Sequence, residues 1–149
     1  MASGFVTLLQ AVKGLLVQTP ALAGGRVELG RGKPVPPEHP SAVHVSLANS
    51  QNTTKLLSAP RSMWRSFVAV DVLVRGAPGQ SVQEAVDPLL QEVWERLQAQ
   101  SDAALGAHLE LHDASIEWGV AEADSALCGA TLLIPVRHQV LNTTLALSS

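Results

Sequence analysis

Ser62-Met63-Trp64-Arg65-Ser66-Phe67-Val68-Ala69-Val70-Asp71-Val72-Leu73-Val74-Arg75 carries the strongest strand signal in the chain. Trp64, Val68, Val70, Val72 and Val74 share one side of a two-residue period, while Arg65, Asp71 and Arg75 share the other. The run is longer than the usual globular strand of about five or six residues. A strand that outruns a compact core has something else to pair with.

Upstream of it, Asn49 to Pro60 is rich in Asn, Ser and Thr and too long for a tight hairpin turn. It reads as a mobile loop or as an arm that orders against a partner. Ala42 to Ala48 alternates again, with Val43, Val45 and Leu47 facing in and His44 and Ser46 facing out. Four prolines and two glycines make Gly30 to Pro40 a stiff, extended loop. Arg26 to Leu29 reads as a short strand. Phe5, Leu8, Leu9, Val12, Leu15 and Leu16 mark one face of a helix with Ser3 as N-cap. That helix stops near Gln18, because Thr19 precedes Pro20 and is pushed out of the helical region.

Downstream, Gly76 to Gly79 is a turn, and Ser81 with Glu84 forms a capping box. Val82, Val86, Leu89, Val93 and Leu97 then stripe a second helix. Pro88 lies inside it, so the helix either kinks there or begins there with Asp87 as N-cap. The stripe runs through Pro88 in phase, which favours the kinked helix. Ser115 to Val120 is a strand with Ile116, Trp118 and Val120 inward. Cys128 to Val140 is a second long strand with Cys128, Ala130, Leu132, Ile134 and Val136 inward. Pro135, on its other face, predicts an edge position or a bulge. Residues 139–149 read as a tail.

The order α-β-β-β-α-β-β predicts an α+β fold: an antiparallel or mixed sheet of about five strands with both helices on one face. A chain of 149 residues fits a single domain, 1–149. The expected core sets Trp64, Val68, Val70, Ile116, Trp118, Leu132 and Ile134 under Leu9, Val12, Val86 and Val93.

Hydrophobic residues make up 46% of the chain and charged residues 15%, a composition that supports a real core. The low charge suits a surface partly covered by other protein. A net charge of -3 argues against nucleic-acid binding as the main task. The lone Cys128 rules out an internal disulfide framework and a cysteine zinc site. Neither a secretory signal nor a membrane-spanning helix is expected, and the sequons at Asn52 and Asn142 are read as chance.

The search for chemistry ends without a catalytic constellation. His108 and His112 flank Glu110 beside Asp113, but Leu109 stands where a zinc-protease helix needs its glutamate. A solvated loop or strand end is the favoured reading, and a small metal-dependent hydrolase or ligand-binding domain is the alternative from another class. The glycines around Lys33 fail phosphate-loop spacing, since Pro34 replaces the required Ser or Thr. Cys128 is read as a core residue, Ser81 as a cap, and Trp94 as either core or interface. No catalytic, cofactor or metal residue is assigned.

Ala23-Gly24-Gly25-Arg26-Val27, followed by a proline-rich loop and an alternating strand, resembles the tail terminator family of long-tailed bacteriophages and prophages. Arg75-Gly76-Ala77-Pro78-Gly79-Gln80-Ser81 leading into a helix is similar to that family too. So is Ile116-Glu117-Trp118 followed by Ala121-Glu122-Ala123-Asp124 and a long last strand. The resemblance is one of order and texture over most of the chain. It implies a non-enzymatic virion subunit, assembled in the host cytoplasm, that forms a ring, commonly a hexamer, on the end of the tail tube. The implied partners are further copies of the chain, the tail tube protein and a neck or connector protein. DNA passes through the lumen without sequence-specific binding, and no membrane or cofactor is involved. A neck, head-completion or tube protein is the nearest alternative. The loops 30–40 and 49–60 are expected to build contacts, so Arg31, Lys33 and Lys55, together with Arg65 and Trp94, are the candidate interface residues.

Overall fold

A computed structural model describes residues 3–17, 21–30, 34–54, 60–100, 108–121, 124–142 and 145–146. Helix α1 spans Gly4–Leu16, β1 Val27–Leu29, β2 Ser41–Asn52 and β3 Arg61–Arg75. Helix α2 spans Val82–Gln100, followed by β4 His108–Leu109, β5 Ser115–Ala121 and β6 Asp124–Leu141. The sheet runs β1-β2-β3-β6-β4, and β5 pairs with β6 alongside β4. Six strands therefore fill five positions, because β4 and β5 share one margin. Among the described residues only the β1–β2 pair is parallel, so the sheet is mixed, in the expected α+β arrangement.

The helices begin as their sequences dictate. Val6 donates its backbone N–H to Ser3 Oγ at 3.4 Å. At α2, Glu84 N–H donates to Ser81 Oγ at 3.1 Å while Ser81 N–H reaches Glu84 Oε1 at 3.4 Å, the reciprocal capping box. Pro88 lies within a continuous α2. Leu8, Val12, Leu15 and Leu16 of α1 and Val86, Val93 and Leu97 of α2 are buried against the sheet. Beneath them lie Val43, Val45, Val68, Val70, Val72, Leu132 and Ile134, all fully buried. Val70 stands opposite both Val45 and Leu132, so one row of β2, β3 and β6 forms the floor of the core.

Several boundaries and faces differ from expectation. β2 continues through Asn49–Asn52, which the polar composition had assigned to a loop. A bulge between Leu47 and Asn49 lets it follow β3, and the Ser50 and Ser66 hydroxyls share a 2.7 Å hydrogen bond. Of the expected loop, residues 55–59 lie outside the described residues. Residues 139–141 of the expected tail complete β6, and Leu145 returns to α1, its carbonyl accepting Gly4 N–H at 2.6 Å. His44 lies on the sheet face away from the helices, as read, but it is buried. The proline loop shares a recess with it through Pro34, Val35, Pro36 and His39.

Pro135 corrects the expected edge position, since β6 is an interior strand with β3 on one side and β4 and β5 on the other. Its carbonyl accepts Glu110 N–H at 2.8 Å, so its nitrogen also points toward the β4–β5 side. There the ladder breaks: β4 ends opposite Val136 and β5 starts opposite Leu133. The missing N–H falls in that gap and costs no bond to β3.

The largest correction concerns β5. Ile116, Trp118 and Val120 pair with Leu132, Ala130 and Cys128, so their phase toward the helix side is right. Yet they are 39%, 43% and 53% exposed. Helix α2 lies over β3 and β6 and meets β5 at a recess where Leu90, Gln91, Trp94 and Glu95 face Ile116. The strand projects beyond its helical cover.

Candidate functional site

Three groups of side chains invite a functional reading, and two prove to be joints of the fold. The first is Ser66 with His138, whose Oγ and Nε2 lie 2.7 Å apart. The serine is fully buried and the histidine nearly so. Phe5 packs edge-on against both the His138 ring and the Trp64 ring, at 5.3 Å in each case. Burial lowers the His138 pKa from 6.5, which keeps the imidazole neutral. A serine–histidine pair so enclosed has no face for a substrate. It joins α1 to the lower half of β3 and β6.

The second group surrounds Glu110. Arg137 Nε lies 2.6 Å from Glu110 Oε1, and an Arg65 guanidinium nitrogen lies 3.2 Å from Oε2 and 3.7 Å from Asp113. Arg65 and Arg137 are directly opposed across the β3–β6 ladder, where two cations repel unless an anion sits between them. Glu110 supplies it from the β4–β5 connection. Arg65 also lies over the Phe67 ring at 5.1 Å. Arg65 is therefore engaged within its own subunit. His112 lies on a 3-10 turn at Leu111–Asp113, not on a strand with His108. Among the described residues, no three His, Cys, Asp or Glu side chains gather as a metal site.

The third group is the β5 margin. Trp94, half-buried on α2, lines a shallow recess with Leu90, Gln91, Glu95 and Ile116. Trp118 and Val120 extend this apolar surface along the strand. Trp94 thus lies at the border of core and exposed surface, while Arg31, Lys33 and Lys55 fall outside the described residues. The exposure of Ile116, Trp118 and Val120 could not be read from alternation, which gives the face of a strand and not the extent of its cover.

Two of the segments that carry the family resemblance, those at Ala23 and Arg75, prove to be chain reversals. Ala23, Gly24 and Gly25 all have positive φ, and Arg26 Nε then donates to Ser41 O at 2.7 Å, tying the entry of β1 to the start of β2. Arg75 donates to the carbonyls of His39, Val35 and Pro36 at 2.9–3.1 Å, which fastens the described part of the proline loop to the end of β3.

No protein-family model matches the chain, and no curated protein matches it in sequence. Among solved structures it is similar to a chain from the virion of the native gene transfer agent particle. The identity there is 16%, over 89% of this chain and 96% of that one, with a TM-score of 0.49. It is also similar to the sheath/tube terminator of an extracellular contractile injection system, PVC, in the extended state. That match has 10% identity over 97% of this chain and 60% of the other, with a TM-score of 0.47. At such identities no residue's role passes from either protein to this one. No helix among the described residues is long and apolar enough to cross a membrane.

Proposed function

We propose that the chain is a structural subunit of a phage tail which assembles into a ring, hexameric by the family resemblance, on the neck-proximal end of the tail tube. The ring stops tail polymerisation and offers the neck proteins a joining surface. The observation that carries this reading is the β5 margin, where Ile116, Trp118 and Val120 form an exposed apolar row on an edge strand. Contiguous apolar surface on an otherwise well-packed domain marks a place where other protein docks. The sequence resemblance supplies the identity of the assembly. A mildly acidic subunit also suits a lumen through which DNA slides without sticking.

Negative-stain imaging of the purified protein, alone and with a tail tube protein, tests the proposal. The expected result is closed rings, with one ring at the end of each tube. A tube subunit would instead polymerise into long tubes, and a protein that stays monomeric with and without the tube would refute the proposal.

A further inference from the structure

We infer that the β5 margin receives a second copy of this chain, which presents the open stretch of its own β2. The inference rests on the ring reading and names the contact that would build the ring.

Among the described residues two strand edges are open, one at each side of the sheet. On one side β1 covers only Val43–Val45 of β2. From Ser46 to Asn52 no further strand lies on that side of β2 among the described residues. On the other side β5, Ser115–Ala121, pairs with β6 alone among the described residues. Each open stretch is seven residues long. β5 contains neither Pro nor Lys, the usual guards against edge pairing. The two edges cannot meet within one molecule, because β3 and β6 lie between them.

Charge selects the partner. Residues 1–75 contain eight Lys or Arg and three Asp or Glu, whereas residues 76–149 contain two and ten. Among the described residues, the half that builds α1 and β1 to β3 carries five of those cations and three acids, and the half that builds α2 and β4 to β6 carries two cations and eight acids, so the sheet is the more acidic toward its β5 margin. At the β5 margin Glu95 borders the recess beside Ile116, and Glu117 is exposed on the other face of the strand. The β2–β3 hairpin exposes Arg61, and no acid occurs between Glu38 and Asp71. A two-fold dimer through the β5 margin would oppose like charges. A head-to-tail contact opposes unlike ones, and its repetition closes into a ring when the rotation allows. Edge pairing supplies backbone hydrogen bonds, and the apolar row supplies burial.

The test uses two full-length variants. One carries Trp118→Asp and Val120→Asp in the receiving margin, and the other Gln51→Glu and Arg61→Glu in the presenting hairpin. All four side chains are exposed, so thermal unfolding should match the wild type. If the first variant unfolds early, Val120→Asp alone replaces it. Each variant by itself should need roughly tenfold or more higher concentration to assemble, as for loss of an interface anchor. Mixed, they should form a one-to-one dimer and stop, since one intact margin of each remains and the altered margins are both acidic. Variants that assemble like the wild type overturn this interface and leave the ring reading standing. A mixture that stays monomeric overturns the head-to-tail arrangement. A wild type that never self-associates refutes both. A wild type that forms these contacts but never caps a tube refutes the tail role alone.

Discussion

His138 Nε2 and Ser66 Oγ meet at 2.7 Å beside the ring of Phe5, and both residues are buried. Desolvation is therefore the cause of the lowered His138 pKa. The unfolded chain takes up a proton near 6.5 that the folded protein refuses until lower pH. Above the unfolded value this histidine costs nothing. Below it, stability falls with falling pH until the folded pKa is passed. His138→Gln keeps a hydrogen-bond partner for Ser66 without a titrating ring. Melting temperatures between pH 7.5 and about 5 should fall less steeply in that variant than in the wild type. Equal slopes would show that His138 is not a source of acid sensitivity.

Val70 and Leu132 are opposed at the centre of the floor and both are fully buried. Val70→Ala and Leu132→Ala should each cost about 1–4 kcal/mol in urea unfolding, the range for a large-to-small change in a core. Because the two side chains touch one space, the double variant should depart from additivity by about 0.5 kcal/mol or more. A loss below about 0.5 kcal/mol for either single change would mean that this row is not the core.

Glu110 holds Arg65 and Arg137 together although both arginines are partly exposed. Glu110→Ala removes the anion and leaves two cations facing each other across a ladder. The expected cost is about 1–2 kcal/mol, discounted for solvent screening of the arginines. Arg137→Ala alone should cost less, since Arg65 still faces Glu110 and the opposed cation is gone. Added salt should shrink the Glu110→Ala penalty by screening the exposed repulsion. A penalty indifferent to salt would assign the role of Glu110 to packing.

These joints also show where a sequence stops being informative. Alternation located β3, β6 and the core face of both, because a buried face imposes period two along a strand. It could not place Asn49–Asn52 in β2, whose side chains are polar on both faces and whose pairing with β3 rests on backbone bonds and the Ser50–Ser66 contact. Nor could it show that Ile116, Trp118 and Val120 are exposed, since the reach of α2 over the sheet is set by tertiary packing. Glu110, Arg65 and Arg137 meet only after β4 is laid beside β6, and no local spacing records that. His138 likewise finds Ser66 from 72 residues away.

The backbone phase of β2 gives the sharpest test of its open edge. Thr53 N–H donates to Met63 O at 2.9 Å, so Thr53 turns its backbone groups toward β3. Gln51, two residues earlier, does the same, while Asn52 between them points its N–H away from the hairpin. Proline removes one N–H and fits an edge strand. Asn52→Pro should therefore keep the β3 ladder and cost at most about 1 kcal/mol, its losses confined to the Asn52 side-chain bond to Thr54. Gln51→Pro should cost more, because its donor faces β3. In assembly the order reverses its meaning: Asn52→Pro, folded and stable, should still fail to close rings, and tails made with it should be of uncontrolled length and unjoined to heads. Normal tails from a folded Asn52→Pro protein would show that this edge receives no partner.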